Sequence, residues 1–171
     1  MDDLQISEQS QYLRFHLAGK SYAFDVLKVR EVLSLVKITP LPSAMDFLSG
    51  VINLRGSVIP VVDLHRKFGM PPADETVDTS IIIVDLLHEG EATLIGALVD
   101  AVKGVMRCEK KDLEPAPRFG MQLNANVVSA IAKKDGDFVV ILDTEKIFSD
   151  KELWLIRDQA EEEAKKDETG S

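Results

Sequence analysis

The sequence predicts an all-β chain, on three observations. Apolar residues recur at every second position in short runs, the period of a strand buried on one face. Glycine-bearing turns separate those runs, and Asp135-Gly136 is the strongest hairpin signal among them. Helical spacing is confined to Val26–Leu33 and to the segment after Ser149. Nine or ten short, closely spaced strands with few helices point to barrels or a sandwich rather than a parallel sheet wound with helices.

From Tyr12 to Leu17 the pattern alternates, with Leu13, Phe15 and Leu17 facing inward and Arg14 and His16 outward. Gly19-Lys20 turns the chain into a second short strand, Tyr22-Ala23-Phe24. Val26, Val29, Val32 and Leu33 then take helical spacing behind Asp25, a suitable N-cap, which predicts one short helix. Pro40 and Pro42 enforce an extended connection. Gly50 opens two apolar strands, VINLR and SVIPVVDL, parted by Gly56. Pro60 lacks an amide donor, so its strand is expected at an edge, a bulge or a bend. Leu64–Phe68 reads as a helical turn stopped by Gly69, and a polar loop runs from Pro72 to Asp78.

Beyond that loop, Thr79–Leu87 and Thr93–Asp100 form a hairpin about HEGE, followed by Val102–Arg107. A long connection, Cys108 to Asn126, leads to Val127–Ala132 and Phe138–Leu142, which flank KKDGD. Ser149 and Glu152 have capping-box spacing, and Leu153, Ile156 and Ala160 mark one apolar helical stripe. No internal repeat is evident, although the two strand-rich halves are similar in length. Residues 1–10 are expected to be a flexible start, 11–148 the folded body, and 149–171 a helix with a frayed acidic tail.

Composition narrows the function. The chain has 171 residues, 45% of them apolar, enough for one domain with a sizeable core. Acids outnumber bases 29 to 20, and the net charge of −9 opposes a role in coating DNA or RNA. Cys108 is the single cysteine, so an internal disulfide and a multi-cysteine zinc knuckle are excluded. The opening MDDLQISEQS lacks the features of a secretory signal, and no apolar run approaches the ~20 residues of a membrane helix. A soluble cytoplasmic protein without direct membrane insertion is expected.

No catalytic constellation emerges. His16, His65 and His88 are far apart and in no metal-ligand motif, and a surface position is expected for them. Arg107 could lower the thiol pKa of Cys108, but an ordinary free thiol is the expectation. No serine sits in a G-x-S-x-G elbow, and the glycines form neither a phosphate loop nor a dinucleotide fingerprint. No metal or cofactor is expected. What remains is GVINLRGSVIPVVDLHRKFG, Gly50–Gly69, an apolar hairpin whose turn carries Arg55. Glu31, in the expected helix, is a possible partner for Arg55, with Val29 and Val32 as apolar anchors for a partner helix.

Four segments carry a family resemblance: YLRFHLAGKSYAFDVLKVREV, ITPLPSAMDFLSGVINLRGSVIPVVDLHRKFG, IGALVDAVKGV and FVVILDTEKIF. In that order, from about Tyr12 to Phe148, they resemble the CheW-like coupling proteins of bacterial chemotaxis. The resemblance implies two five-stranded SH3-like β-barrels around a shared core, with a few short helices and a C-terminal helix. It implies a non-enzymatic adaptor joining the cytoplasmic tips of methyl-accepting chemoreceptors to the regulatory domain of the histidine kinase CheA, recruited to membrane-associated receptor arrays. The alternative is an adaptor of a parallel chemosensory pathway, for motility or development, with another receptor and kinase. By the same resemblance Val29, Glu31 and Arg55 match positions of receptor and kinase contact, and Gly50 one where a side chain would interfere. Val99 and Val105 resemble groove-lining positions, and Phe119 an aromatic between ring neighbours. His65 departs from the arginine common after VDL, and Glu114 stands where a basic residue can occur.

Overall fold

Among the residues described by the computed structural model (9–43, 45–116, 123 and 126–169), eleven strands form two sheets. The first sheet runs, edge to edge, through β8 (Ala101–Glu109), β1 (Gln9–Leu17), β2 (Lys20–Asp25), β11 (Asp137–Leu142), β10 (Val128–Lys134) and β9 (Leu113–Glu114). The second runs through β3 (Val29–Ser34), β6 (Ser80–His88), β7 (Glu91–Val99), β5 (Ser57–Asp63) and β4 (Leu48–Leu54). One parallel pairing occurs in each, β2 with β11 and β5 with β7; the other pairings are antiparallel. The expected two sheets of five are thus one of six and one of five, because the two-residue β9 adds an edge.

Both sheets curl. In the first, edges β8 and β9 are joined by the 3₁₀ turn Lys110–Asp112. Such a turn advances about 2 Å per residue, whereas six flat strands spaced ~4.8 Å apart would hold the edges roughly 24 Å apart. In the second, the chain leaving β3 crosses to the opposite edge, where Thr39 exchanges both backbone hydrogen bonds with Val51 of β4, at 2.8 and 2.9 Å. These two crossings make each sheet a barrel.

Four tight turns, at Ala18-Gly19, Arg55-Gly56, Glu89-Gly90 and Asp135-Gly136, have positive φ at both central residues. That matches the right-handed twist of two-residue hairpins. The expected helix at Val26–Leu33 is corrected. Asp25 does cap Leu27, with the amide 2.9 Å from its carboxylate, but the turn is 3₁₀ and ends at Lys28. The apolar residues Val29 and Leu33 then point inward from β3, whose exposure alternates residue by residue. Over so short a stretch an i, i+3 pattern does not separate a helix from a 3₁₀ turn feeding a strand.

Pro60 also departs from expectation, since β5 is an interior strand. Val51 spends its amide and carbonyl on Thr39, so its pair with Pro60 is a non-hydrogen-bonded one. The parallel ladder to β7 begins only at Val61. No donor is missed.

The barrels are not the two halves of the chain. The second is built from the continuous stretch 29–99, and the first from the two ends. Side chains of alternate strand positions fill different cores. Ile81 and Ile83 fill the second barrel, Tyr12, Cys108, Val139 and Ile141 the first, while Phe15, Phe24, Ile82, Val84 and Val99 meet between the barrels. Burial on both faces accounts for the unbroken run IIIV. Burial also raises the thiol pKa of Cys108, opposite to the effect Arg107 could have had.

Two short helical elements follow capping aspartates. Helix α1 (Leu64–Lys67) is capped by Asp63, and Asp143 caps the 3₁₀ turn Thr144–Lys146. Helix α2 (Asp150–Thr169) has the expected capping box, Ser149 and Glu152 each accepting the other's amide at 3.1 and 2.9 Å. It seals the shared core with Leu153 and Ile156, and Ala160 is buried one turn further on. Past Asp158, where a frayed tail was expected, the chain stays helical to Thr169. His65 and His88 are buried rather than exposed. His88 lies beneath the start of α2, 3.7 Å from the Asp150 carboxylate.

Candidate functional site

The seam of the second barrel brings the predicted residues Glu31 and Arg55 together. Strand β3 carries Glu31 past a bulge, and the β4–β5 turn carries Arg55 at φ 51°. The guanidinium donates to the carboxylate across the seam between opposite edges of the sheet. Arg55 is 73% and Glu31 30% exposed, so the pair contributes little stability but fixes where the guanidinium stands. The Glu31 hydrogen bond and charge raise the pKa of Arg55, which stays cationic throughout. Arg30 and Val32 face outward from the same strand, and Arg30 reaches Asp85 of β6 at 3.4 Å. The site is a charged pair on a strand edge with an apolar neighbour, able to hold an anionic or hydrogen-bonding group. Among the described residues, no three His, Cys, Asp or Glu side chains gather where they could hold a metal.

Gly50 lies within β4 rather than opening it. A Cβ there would stand 2.0 Å from the carbonyl oxygen of Thr39. The side chain that would interfere therefore collides first with the molecule's own seam. Val29 packs partly against the shared core.

The remaining predicted residues do not join this cluster. Val99 is 1% exposed within the shared core, which corrects its expected place in a groove lining: its side chain reaches no surface. Val105 is 55% exposed on the edge strand β8 of the other barrel. Phe119 lies outside the described residues.

Sequence reasoning missed three participants. Thr39 closes the seam, and Asn53 accepts the Gly56 amide at 3.0 Å within the hairpin that bears Arg55. The third is His65, whose ring faces the Asp100 carboxylate at 2.8 Å and the Pro71 carbonyl at 3.1 Å. Asp100 in turn accepts the Ala18 amide at 2.9 Å, linking the barrels. A signal for Thr39 was present: ITPLP at Ile38–Pro42 is echoed by LEPAP at Leu113–Pro117, and Thr39 and Glu114 pair with matching strands.

Comparison with known proteins agrees with this architecture. The family model of the CheW-like domain matches residues 11–152. The chain is 33% identical to chemotaxis protein CheW of Thermotoga maritima over 146 residues, 84% of this chain and 90% of that one. It is 30% identical to chemotaxis protein CheW of Klebsiella aerogenes, also over 146 residues, 85% of this chain and 86% of that one. The crystal structure of the scaffolding protein TtCheW from Thermoanaerobacter tengcongensis superimposes with a TM-score of 0.76 at 35% identity, covering 85% of this chain and 93% of that one. Two curled sheets around one core, carrying this pattern over most of the length, show that the chain belongs to the CheW-like domain family.

Proposed function

We propose that the chain is a non-enzymatic adaptor that couples chemoreceptors to the histidine kinase CheA in bacterial chemotaxis. The observation that carries this reading is the likeness, over most of their length, to proteins named chemotaxis protein CheW, with a scaffolding protein among the solved structures. The geometry supports it: a positioned ion pair and the outward side chains of β3 stand exposed beside one another, which suits docking rather than turnover. No described helix is long and apolar enough to cross a membrane, and in this reading recruitment to receptor arrays runs through protein contacts. In this reading Val29, Glu31, Gly50 and Arg55 form or support one docking edge, and Val105 belongs to a second on the other barrel.

Calorimetric titration with the regulatory domain of CheA and with a receptor-tip fragment tests this. Micromolar binding to both is expected, as suits interfaces of modest area in a switchable assembly. Arg55→Asp weakens at least one of them by about ten-fold while thermal unfolding stays near wild type. Binding to neither component would overturn the reading. Unchanged affinity of Arg55→Asp for both would remove the seam from the interface.

A further inference from the structure

We infer that Asn53 is a positioning residue for Arg55, holding a strained turn in the one conformation that aims the guanidinium across the seam. The inference rests on the docking role proposed for Arg55 and deepens it.

Arg55 has φ 51° and Gly56 φ 85°, the pair of left-handed conformations that a two-residue hairpin requires. Glycine accepts this freely, but a long L side chain at the first position does so under strain, because its Cβ crowds the following carbonyl oxygen. Strain of this kind persists where the surroundings over-determine it, and it clusters at working sites.

The molecule supplies its own control. Ser49-Gly50-Val51-Ile52-Asn53-Leu54-Arg55-Gly56 in the second barrel corresponds in place to Ser129-Ala130-Ile131-Ala132-Lys133-Lys134-Asp135-Gly136 in the first. Both segments enter with the same bulge, after Leu48 and after Val128, and both end in the same turn. In the first barrel the strained position is filled by Asp135, a residue type that tolerates the left-handed region, and Lys133 stands two residues before it. In the second, the strained position is filled by arginine and Asn53 stands two residues before it. The Asn53 Oδ1 accepts the Gly56 amide at 3.0 Å and ties the far side of the turn to its own strand. The turn type itself does not need this bond, since the first barrel makes the same turn without an asparagine there. What the bond adds is restraint at the position where the side chain is both unsuited to the backbone and used across the seam.

Two variants and a double-mutant cycle test this. Asn53→Ala is expected to keep the fold and to weaken binding of whichever partner Arg55 contacts by roughly three- to ten-fold, the scale of one lost hydrogen bond. Asn53→Asp keeps the acceptor and restores affinity to within about two-fold of wild type. In an Arg55→Ala background, Asn53→Ala has no further effect on affinity, because there is no guanidinium left to aim. Side-chain NMR relaxation at the Arg55 Nε–H reports the same restraint without any partner, and its order falls in Asn53→Ala. Wild-type affinity and wild-type Arg55 order in Asn53→Ala, with Arg55→Ala weakened, would overturn the inference and leave the docking role standing. If Arg55→Ala itself binds both partners as wild type does, the docking role fails. The Arg55 order alone then decides whether Asn53 positions it.

Discussion

The two barrels share one wiring diagram and differ at their seams. In each, an edge strand is followed by an antiparallel neighbour, a hairpin partner, a parallel crossing and an antiparallel strand, beyond which the first sheet adds β9. Each half of the chain lends its first hairpin to the other half's barrel: β1 and β2 complete the first barrel, β6 and β7 the second. Each seam is bound by a basic side chain near the matching turn. Arg55 reaches the Glu31 carboxylate, whereas Lys134 reaches the Arg107 backbone carbonyl. A cation satisfied by a carbonyl closes a barrel and offers little else. A cation held by a carboxylate on an exposed edge is a pair that a partner can join or exchange.

The tightest point of difference is Gly50 against Ala130. The two occupy the same place after the same bulge, yet Ala130 carries a Cβ and Gly50 has no room for one. Gly50→Val drives a branched side chain into the Thr39 carbonyl and parts the seam. A loss of about 3 kcal/mol or more is expected from urea unfolding, with reduced yield of folded protein. Ala130→Gly in the other barrel costs about 1 kcal/mol or less. Equal effects of the two would show that the seams are alike.

The latches between the barrels make the next comparison. His65 and Glu145 stand two residues after the capping Asp63 and Asp143, and each reaches into the opposite barrel or its junction. His65 meets Asp100 at the β7–β8 junction. Glu145 meets Lys28 at 3.0 Å and accepts the Leu87 amide at 3.3 Å. Burial separates them, for the His65 side chain is 6% and that of Glu145 32% exposed. His65→Ala leaves the inward oxygen of Asp100 and the Pro71 carbonyl without their partner, an expected loss of about 1–3 kcal/mol. Glu145→Ala removes a half-solvated pair and costs about 0–1 kcal/mol. A double-mutant cycle of His65 with Asp100 assigns the loss to the contact rather than to the void.

These correspondences explain what the sequence revealed and what it concealed. Strand period and hairpin glycines were legible because they are local: nearly every strand and all four tight turns were marked by residues within a few positions. The swap of hairpins was not, since alternation says which face is buried but not against which strand. The repeat itself escaped notice because it survives in geometry more than in residue type, with Arg55 opposite Asp135 and Thr39 opposite Glu114. Glu31 and Arg55 could be paired from charge and a motif, even with Glu31 placed on a helix that is a strand. Asn53 and Thr39 could not, because a turn cap and a bridge are backbone events that only the register exposes. Val99 misled for the opposite reason: a valine at a strand end is read alike whether it lines a groove or a core.

Cys108 offers a smaller test of the first barrel's interior. It is enclosed with Tyr12, Ala23 and Ile141, and burial raises its thiol pKa above the ordinary 9.0. Thiolate is therefore scarce near neutrality, and access is closed as well. Alkylation by iodoacetamide is expected to be more than about ten-fold slower in the native protein than in urea. Native labelling at the denatured rate would mean that the barrel opens readily.

The smallest expected effect lies in how each barrel's cations are paired. At the entry to the second barrel Lys28 and Arg30 are both paired, with Glu145 and Asp85. In the first, His16 feels Lys103, Arg14 and Asp100, and the two oxygens of Asp100 are engaged by His65 and the Ala18 amide. Desolvation, then Lys103 and Arg14, lower the pKa of His16 below 6.5. The unfolded chain therefore takes up this proton at a higher pH than the folded one. The stability that neutral His16 contributes is complete above the unfolded value and is lost as pH falls through the folded one. Urea midpoints measured from about pH 7.5 down to about pH 5 should fall less steeply for His16→Gln than for wild type. Lys103→Gln should shrink the same difference by removing one of the charges that depress His16. If the two curves stay parallel throughout, His16 is insensitive to burial and to its cationic neighbours.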